Sequence, residues 1–383
     1  MKYVKLTELA DYLNGRAFKN SDWNSHGLPI IRIQNLTDAT KPYNYYSGNF
    51  SENNLIKKGD LLISWSGTLD IYEWDKDDAL LNQHIFKVVF NKSDVDKKYF
   101  FYAIKTILEL MKRDTHGSTM KHITKKDFNK HSIPLPSIVD QKNISSHLDN
   151  IASIISLRKQ SIQKLDELVQ SVFYDMFGDK LMQNVNNLET LEDISIKITD
   201  GEHSTPKRSD AGIYLLSARN VKNGYIDFNA GVDYIPEDEY QRISKRCKPE
   251  MGDILISCSG TIGRVTSVKV SDRLSLVRSV ALIKPNKEKV NSTYLEHLLL
   301  TPFVQSILIK KAHGGSQANL FTGQIKSVPV YVPSIKEQEK FSLIAERARN
   351  QKESYEQDLL ILENLFQSYL YQSYSAETKQ YAN

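Results

Sequence analysis

The stretch Gly59-Asp60-Leu61-Leu62-Ile63-Ser64-Trp65-Ser66-Gly67-Thr68 returns later in the chain as Gly252-Asp253-Ile254-Leu255-Ile256-Ser257-Cys258-Ser259-Gly260-Thr261. Three further matches lie around it in the same order. IRIQNL, ending at Leu36, faces LLSARNV, ending at Val221, so that Asn35 aligns with Asn220. HGSTMKHIT (His116 to Thr124) faces HGGSQANLFT (His313 to Thr322), and PSIVDQ from Pro136 faces PSIKEQ from Pro333. Matches in one order with slowly drifting offsets mark a tandem duplication with small loop insertions. Its period of roughly 190 residues is domain-sized, far longer than a solenoid repeat.

Each copy has two parts. The first reads as β-rich: IIRI, DLLISW, HIFKVVF, IYLL, DILIS and SVALIKP are short apolar or alternating runs, broken by Gly, Asn, Asp and Pro. Helical spacing of apolar residues appears within it at Lys98 to Lys112 and at Ser292 to Lys311. The second part is a long helix. Its apolar positions step by four and three through Ile144, Leu148, Ile151, Ile155, Arg158, Ile162, Leu165, Val169, Val172 and Met176. The second copy follows in step with Phe341, Ala345, Ala348, Lys352, Tyr355, Leu359, Leu362, Phe366 and Tyr369. This is an a/d heptad seam, with one charged residue in each copy, Arg158 and Lys352, whose long stems suit snorkelling. Two matched helices, each too long to bury on its own domain, are expected to pair with each other. Symmetry alone leaves parallel and antiparallel pairing open. The expected organisation is α+β: a β-rich domain over 1–136, a helix over 137–180 ending at Gly178, a second β-rich domain over 181–333 entered through the linker LMQNVNNLET, a helix over 334–374 and a polar tail over 375–383.

The chain has 383 residues, 40% hydrophobic and 25% charged, which suits two or three ordinary globular domains and excludes a disordered or fibrous chain. No apolar run reaches the roughly 18 residues of a membrane span. The start, MKYVKLTELADYLNG, has no continuous apolar core, so no signal peptide is expected. Two cysteines, Cys247 and Cys258, make neither a disulfide framework nor a zinc pair, and a reducing cytoplasm is expected. The net charge of +4 permits an acidic partner without requiring one. No phosphate-binding glycine loop, dinucleotide fingerprint, nucleophile elbow, HExxH or Asn-Pro-Pro-aromatic motif occurs. No catalytic residue and no metal site is therefore assigned. His116, His122 and His131 lack Cys or carboxylate companions at metal spacing, and the acidic run from Asp70 to Asp78 reads as a solvated loop.

Lys105 to His131 is rich in Lys and Arg and short polar residues, a composition that neutralises phosphates and reaches base edges. Candidate DNA contacts in the first copy are Arg32, Gln34, Ser66, Thr68, Gln83, Ser118, Thr119, Lys121, His122 and Lys125. In the second copy they are Lys207, Arg219, Ser259, Thr261, Arg264, Arg278, Gln317 and Asn319, with a further basic run at Arg242, Lys245, Arg246 and Lys248. The Ser-Gly-Thr segments are read first as turns and second as phosphate cradles. The copies agree in their apolar frame and differ at these positions: Gln34 faces Arg219, Gln83 faces Arg278, and Ser118 to His122 face Ser316 to Leu320. A shared scaffold with unlike reading residues suits a two-part recognition device.

These residues resemble the specificity subunits of type I restriction–modification systems. GDLLISWSGT, GDILISCSGT, GSTMKHITKKDFNKHSIPLPSIVDQKNI and VPVYVPSIKEQEKF carry the resemblance, which covers essentially the whole chain. It implies two target recognition domains, each reading one half of a bipartite double-stranded DNA site. It also implies an antiparallel coiled coil of the two helices that separates the readers and docks two methyltransferase subunits. Those subunits bind S-adenosylmethionine and methylate adenine N6, restriction subunits complete the complex, and this chain carries no cofactor and no catalysis. The family's turn often runs on as in Ser259 to Arg264; the first copy has Leu69 and Asp70 instead, so a basic contact there is expected only in the second. A helix from Ile144 to Met176 is about 50 Å long, enough to hold two readers about one duplex turn of 34 Å apart. The alternatives are a scaffold that joins protein partners through its helices and a self-sufficient methylase or nuclease with unfamiliar motifs.

Overall fold

The computed structural model describes residues 2–114, 128–183, 188–312 and 318–374. The chain divides into two compact units, Met1–Lys159 with Gln357–Asn383, and Gln160–Glu356. The long helices Ile138–Gln183 and Ile335–Tyr374 each contribute to both.

The duplication read in the sequence is a duplication of topology. In the first unit a four-stranded antiparallel sheet runs in the order Asp11–Asn14, Ile85–Val89, Leu61–Ser64, Asp70–Glu73. In the second unit Ser195–Asp200, Val280–Pro285, Ile254–Ser257 and Val265–Ser267 take the same order. A second sheet repeats as well. Leu28–Ile31 pairs antiparallel with Asn44–Tyr46 and parallel with Ala79–Leu81, as Ile213–Leu216 does with Asp233–Ile235 and Leu274–Leu276. A short ribbon closes each domain, Tyr3–Lys5 on Ser132–Pro134 and Glu189–Thr190 on Pro329–Val330. All four residues of Leu61–Ser64 and of Ile254–Ser257 are buried, so these strands read as unbroken runs instead of alternating ones.

Four expectations change. The first long helix does not stop at Gly178 but continues to Gln183. One helical glycine costs only about 1 kcal/mol, and Phe173 and Phe177, buried in the second unit's core, hold that turn in place. The expected linker shortens accordingly, because Glu189–Thr190 is already strand. The helix expected over Ser292 to Lys311 is two, Ser292–Leu299 and Pro302–Lys311; Pro302 opens the second, and the Thr301 hydroxyl caps it by accepting the Val304 N–H at 3.4 Å. The acidic run is not all loop: Asp70–Glu73 is an edge strand, and Glu73 pairs with Lys97 at 3.4 Å and Lys98 at 2.7 Å.

Every described seam position is buried or half-buried. In the first unit His147 meets Tyr369 at 5.9 Å between ring centres, and Arg158 reaches Asp358 at 3.4 Å. In the second unit Lys352 reaches Asp166 at 2.7 Å, and Phe173 meets Phe341 at 5.1 Å. Residue numbers fall on one helix as they rise on the other, so the helices run antiparallel in each unit. The two charged seam residues extend to carboxylates on the facing helix. The seam does more than join helix to helix. Ile144, Leu148, Phe366, Tyr369, Leu370 and Tyr374 enter the first domain's core, and Val169, Phe173, Phe177, Phe341, Ala345 and Ala348 enter the second's. Ile151, Ile155, Ile162, Tyr355, Leu359 and Leu362, with the charged Arg158 and Lys352, remain as a half-buried seam outside those cores. Among the described residues no helix is long and apolar enough to cross a membrane.

Candidate nucleic-acid interface

The site follows from how the strands end. In the first unit the Asn82 N–H donates to the Ile31 carbonyl at 3.1 Å, just past the parallel pair of strands. Gln83 N–H donates to Arg16 O at 2.9 Å, and Trp65 N–H to His84 O at 3.2 Å. These bonds gather Arg16, Arg32, Gln34, Ser66, Thr68 and Gln83 into one cluster of loops. Gln34, Thr68 and Gln83 are exposed; Arg32 and Ser66 are half-buried, with the Arg32 guanidinium 5.6 Å from the Trp23 ring.

The second unit repeats the construction. Val277 N–H donates to Leu216 O at 3.0 Å, Cys258 N–H to Ser279 O at 2.8 Å, and Arg278 N–H to Glu202 O at 2.9 Å. Ser259 and Asn319 form an antiparallel bridge. Arg219, Ser259, Thr261, Arg264, Arg278 and Asn319 thus meet at the matching edge. Lys207 sits beside them against the helix Glu237–Ser244, its N–H on the Glu239 carboxylate at 3.2 Å. Ser118, Thr119, Lys121, His122, Lys125 and Gln317 lie outside the described residues.

The Ser-Gly-Thr segments are turns pinned from within. The buried Ser257 hydroxyl donates to Thr261 O at 2.6 Å and accepts the Arg264 N–H at 2.9 Å. Ser64 does the same with Thr68 O and with the Asp70 N–H, the latter at 3.0 Å. Gly67 and Gly260 have φ of +70° and +68°, the left-handed region, with open space where a side chain would stand. Asp60 and Asp253 of the same motif are structural. Each accepts a backbone N–H three residues back at 2.8 Å and pairs with a lysine of the adjacent strand, Lys87 at 2.9 Å or Lys284 at 2.7 Å. Asn35 and Asn220 are likewise buried loop braces, accepting the N–H of Arg32 at 3.2 Å and of Ser217 at 3.0 Å.

Charge sorts the candidates. Arg219 and Arg208 share Asp233 at 3.1 and 3.3 Å. Three of the four cations of the basic run are neutralised too: Arg242 binds Glu239 at 2.8 Å, Arg246 binds Asp200 at 3.3 Å, and Lys248 binds Glu250 at 2.9 Å. Lys248 and Lys284 hold the Glu250 carboxyl down to about 2. The chain itself leaves the four guanidinium groups of Arg16, Arg32, Arg264 and Arg278 without a carboxylate among the described residues. Arg16 was missed in the sequence because its partners, Phe18 and Tyr46, identify it only once the chain is folded. Among the described residues no group of three His, Cys, Asp or Glu side chains is gathered for a metal ion.

A family model described as the type I restriction modification DNA specificity domain matches residues 1–167 and again 203–359. The chain is 25% identical over 407 residues to the specificity subunit of the type I restriction enzyme EcoBI of Escherichia coli, spanning 98% of this chain and 85% of that one. It is 23% identical to the MjaVIII specificity subunit of Methanocaldococcus jannaschii, over 77% of this chain and 73% of that one. Two solved structures are alike in fold at 15% identity. The type I S subunit from M. genitalium has a TM-score of 0.56 over 97% of this chain and 96% of its own. A chain from a study of complex assembly and conformational transition of the type I R-M system has a TM-score of 0.60 over 97% of both chains.

Proposed function

This chain belongs to the type I restriction–modification DNA specificity family, a non-catalytic recognition subunit, and on that premise we propose that each unit reads one half of a bipartite double-stranded target. The observation that carries the reading is the matched pair of loop clusters: one topology, two sets of exposed residues. Arg264 and Arg278 face the second half-site, and Gln34, Thr68 and Gln83 the first. Base edges in the major groove are distinguished by such side chains, and unpaired cations supply forks for either a base edge or a phosphate. The antiparallel helices act as a spacer between readers and as the docking surface for two methyltransferase subunits. Those subunits hold S-adenosylmethionine and methylate adenine N6 after extruding the base. Restriction subunits join the same cytoplasmic complex, and no catalytic step falls to this chain.

The test is a domain exchange in the assembled methyltransferase. Residues 1–135 are replaced by the matching segment of a relative with a different target, and methylated sites are mapped across a genome. One half-site should change and the other persist. Alteration of both halves would defeat modular reading, and methylation without any bipartite motif would favour a mere protein scaffold.

A further inference from the structure

Arg16 lies at the end of the strand Asp11–Asn14 and is fixed from backbone to tip. Its N–H donates to Leu81 O at 2.8 Å, and its carbonyl accepts the Gln83 N–H at 2.9 Å. Gly15 before it lies so close to the Asn82 carbonyl that a Cβ there would overlap it. The guanidinium is then held by two rings, 4.7 Å from the centre of Tyr46 and 5.1 Å from that of Phe18. Nη1 spends its donors on the Tyr46 hydroxyl at 2.9 Å and on Asn49 O at 3.1 Å. No carboxylate neutralises the charge, and the edge formed by Nε and Nη2 has no partner among the described residues. A rigid, uncompensated fork with one free edge is organised for a planar acceptor pair before that acceptor arrives.

The matched position in the second unit inverts the charge. Glu202 follows Gly201 there, and a Cβ on Gly201 would likewise overlap strand backbone, at Leu276. The Glu202 carboxylate is already engaged by Ser204 N–H at 3.1 Å and by Arg242 at 3.4 Å. The same point of one scaffold thus offers a free cation in one reader and a satisfied anion in the other.

We infer that Arg16 is a specificity-determining residue of the first reader, its free edge taking the O6 and N7 of a guanine in the major groove. This rests on the DNA-reading function proposed above. Arg is the common bidentate partner of guanine, and Lys, a point donor, cannot reproduce the fork.

The experiment maps methylation by the assembled methyltransferase carrying wild-type, Arg16→Lys or Tyr46→Phe chains, and titrates DNA binding by the wild-type and Arg16→Ala complexes against salt. Wild type should require guanine at one position of the first half-site. Arg16→Lys should lower the preference at that position about ten- to hundred-fold and leave the second half-site intact. Tyr46→Phe, which loosens the fork without removing it, should relax the same position to a lesser degree. Two results would overturn the inference: an unchanged motif, or affinity falling equally on all sequences in Arg16→Ala with a salt slope lower by about one, which makes Arg16 a phosphate contact. A wild-type complex with no bipartite motif would instead sink the underlying reading.

Discussion

The side-chain oxygen of Gln338 accepts the backbone N–H of Asn291 at 2.8 Å, joining the start of the second long helix to the β-rich domain before it. Gln338 also donates to Lys289 O at 3.0 Å and Pro333 O at 2.9 Å, while Ser342 donates to the Asn291 side chain at 2.6 Å. The first copy has the same joint. Gln141 accepts the Asp96 N–H at 2.9 Å and donates to Pro136 O at 2.9 Å, and Ser145 donates to Asp96 at 3.0 Å. The repeated Pro-Ser-Ile-x-x-Gln motif therefore fastens the start of each long helix to the domain before it.

Gln338→Ala should cost about 2–4 kcal/mol of stability, because it removes the partner of three backbone groups; the Pro333 carbonyl is left buried and unpaired, worth about 1–3 kcal/mol, while the part-buried Asn291 N–H and Lys289 carbonyl can turn to water and add less. Gln141→Ala, with two partners, should cost less. Denaturant unfolding of the two variants checks both the magnitude and the order.

Ser257→Ala should free the turn that carries Ser259 and Thr261. The Arg264 amide loses its acceptor, so its hydrogen exchange should accelerate by about tenfold or more, as expected when a buried bond worth about 1–3 kcal/mol is lost. Amides of the strand Ser195–Asp200, which pairs with Val280–Pro285 and not with the strand of Ser257, should exchange as before. Equal acceleration in both places would mean global unfolding and would refute a local clip.

Burial pushes the thiols of Cys247 and Cys258 up to about 12. The thiolate is the reactive form, so at pH 8 both should alkylate about a hundredfold more slowly in the native chain than in denaturant. The sign for stability follows. The folded state favours the protonated thiol, so this contribution is whole below the ordinary thiol range and is lost as pH rises from there toward 12. Mass-spectrometric labelling against time reads the rates, and rapid native labelling of Cys247 would contradict its burial.

The duplication, the strands and both long helices were legible because apolar period is a local property of sequence. Five of the six apolar runs form strands nearly along their length; IIRI is strand only through Ile31, and Ile33 already opens the short helix Ile33–Thr37, while each described seam position is buried or half-buried. What failed was punctuation. Gly178 reads as a stop, yet the packing of Phe173 and Phe177 in the turn before it carries the helix past it. Leu300 and Thr301 broke a helix whose apolar period ran straight through them. The described loop candidates were legible in part, since strand ends bring Arg32, Gln83, Arg219 and Arg278 to matching edges, but their charge state was not, and Ser118 to Lys125 and Gln317 lie outside the described residues. Nothing near Arg219 in sequence announces Asp233, and nothing near Arg16 announces Tyr46.

Length is the remaining property of the paired helices, and it is testable at a defined point. Gln160 and Gln357 are both exposed and sit where the chain passes from one compact unit to the other, beside the pair Arg158 and Asp358 at 3.4 Å. Seven residues inserted after each keep the a/d phase, so the seam should survive. In an antiparallel pair, insertions at facing points also keep the register of Lys352 on Asp166 and of His147 on Tyr369. Each helix lengthens by about 10 Å. That is roughly three base pairs at 3.4 Å each. Three pairs also rotate the duplex by about 100°, given 10–10.5 per turn. The new site must bend or twist to meet both readers, at an energetic cost that lowers affinity. The expected methylome therefore holds the same two half-sites, more weakly methylated, with a longer spacer. Full methylation of the original site at its original spacing, by an insertion variant shown to be folded, would defeat the idea that the helices set the gap.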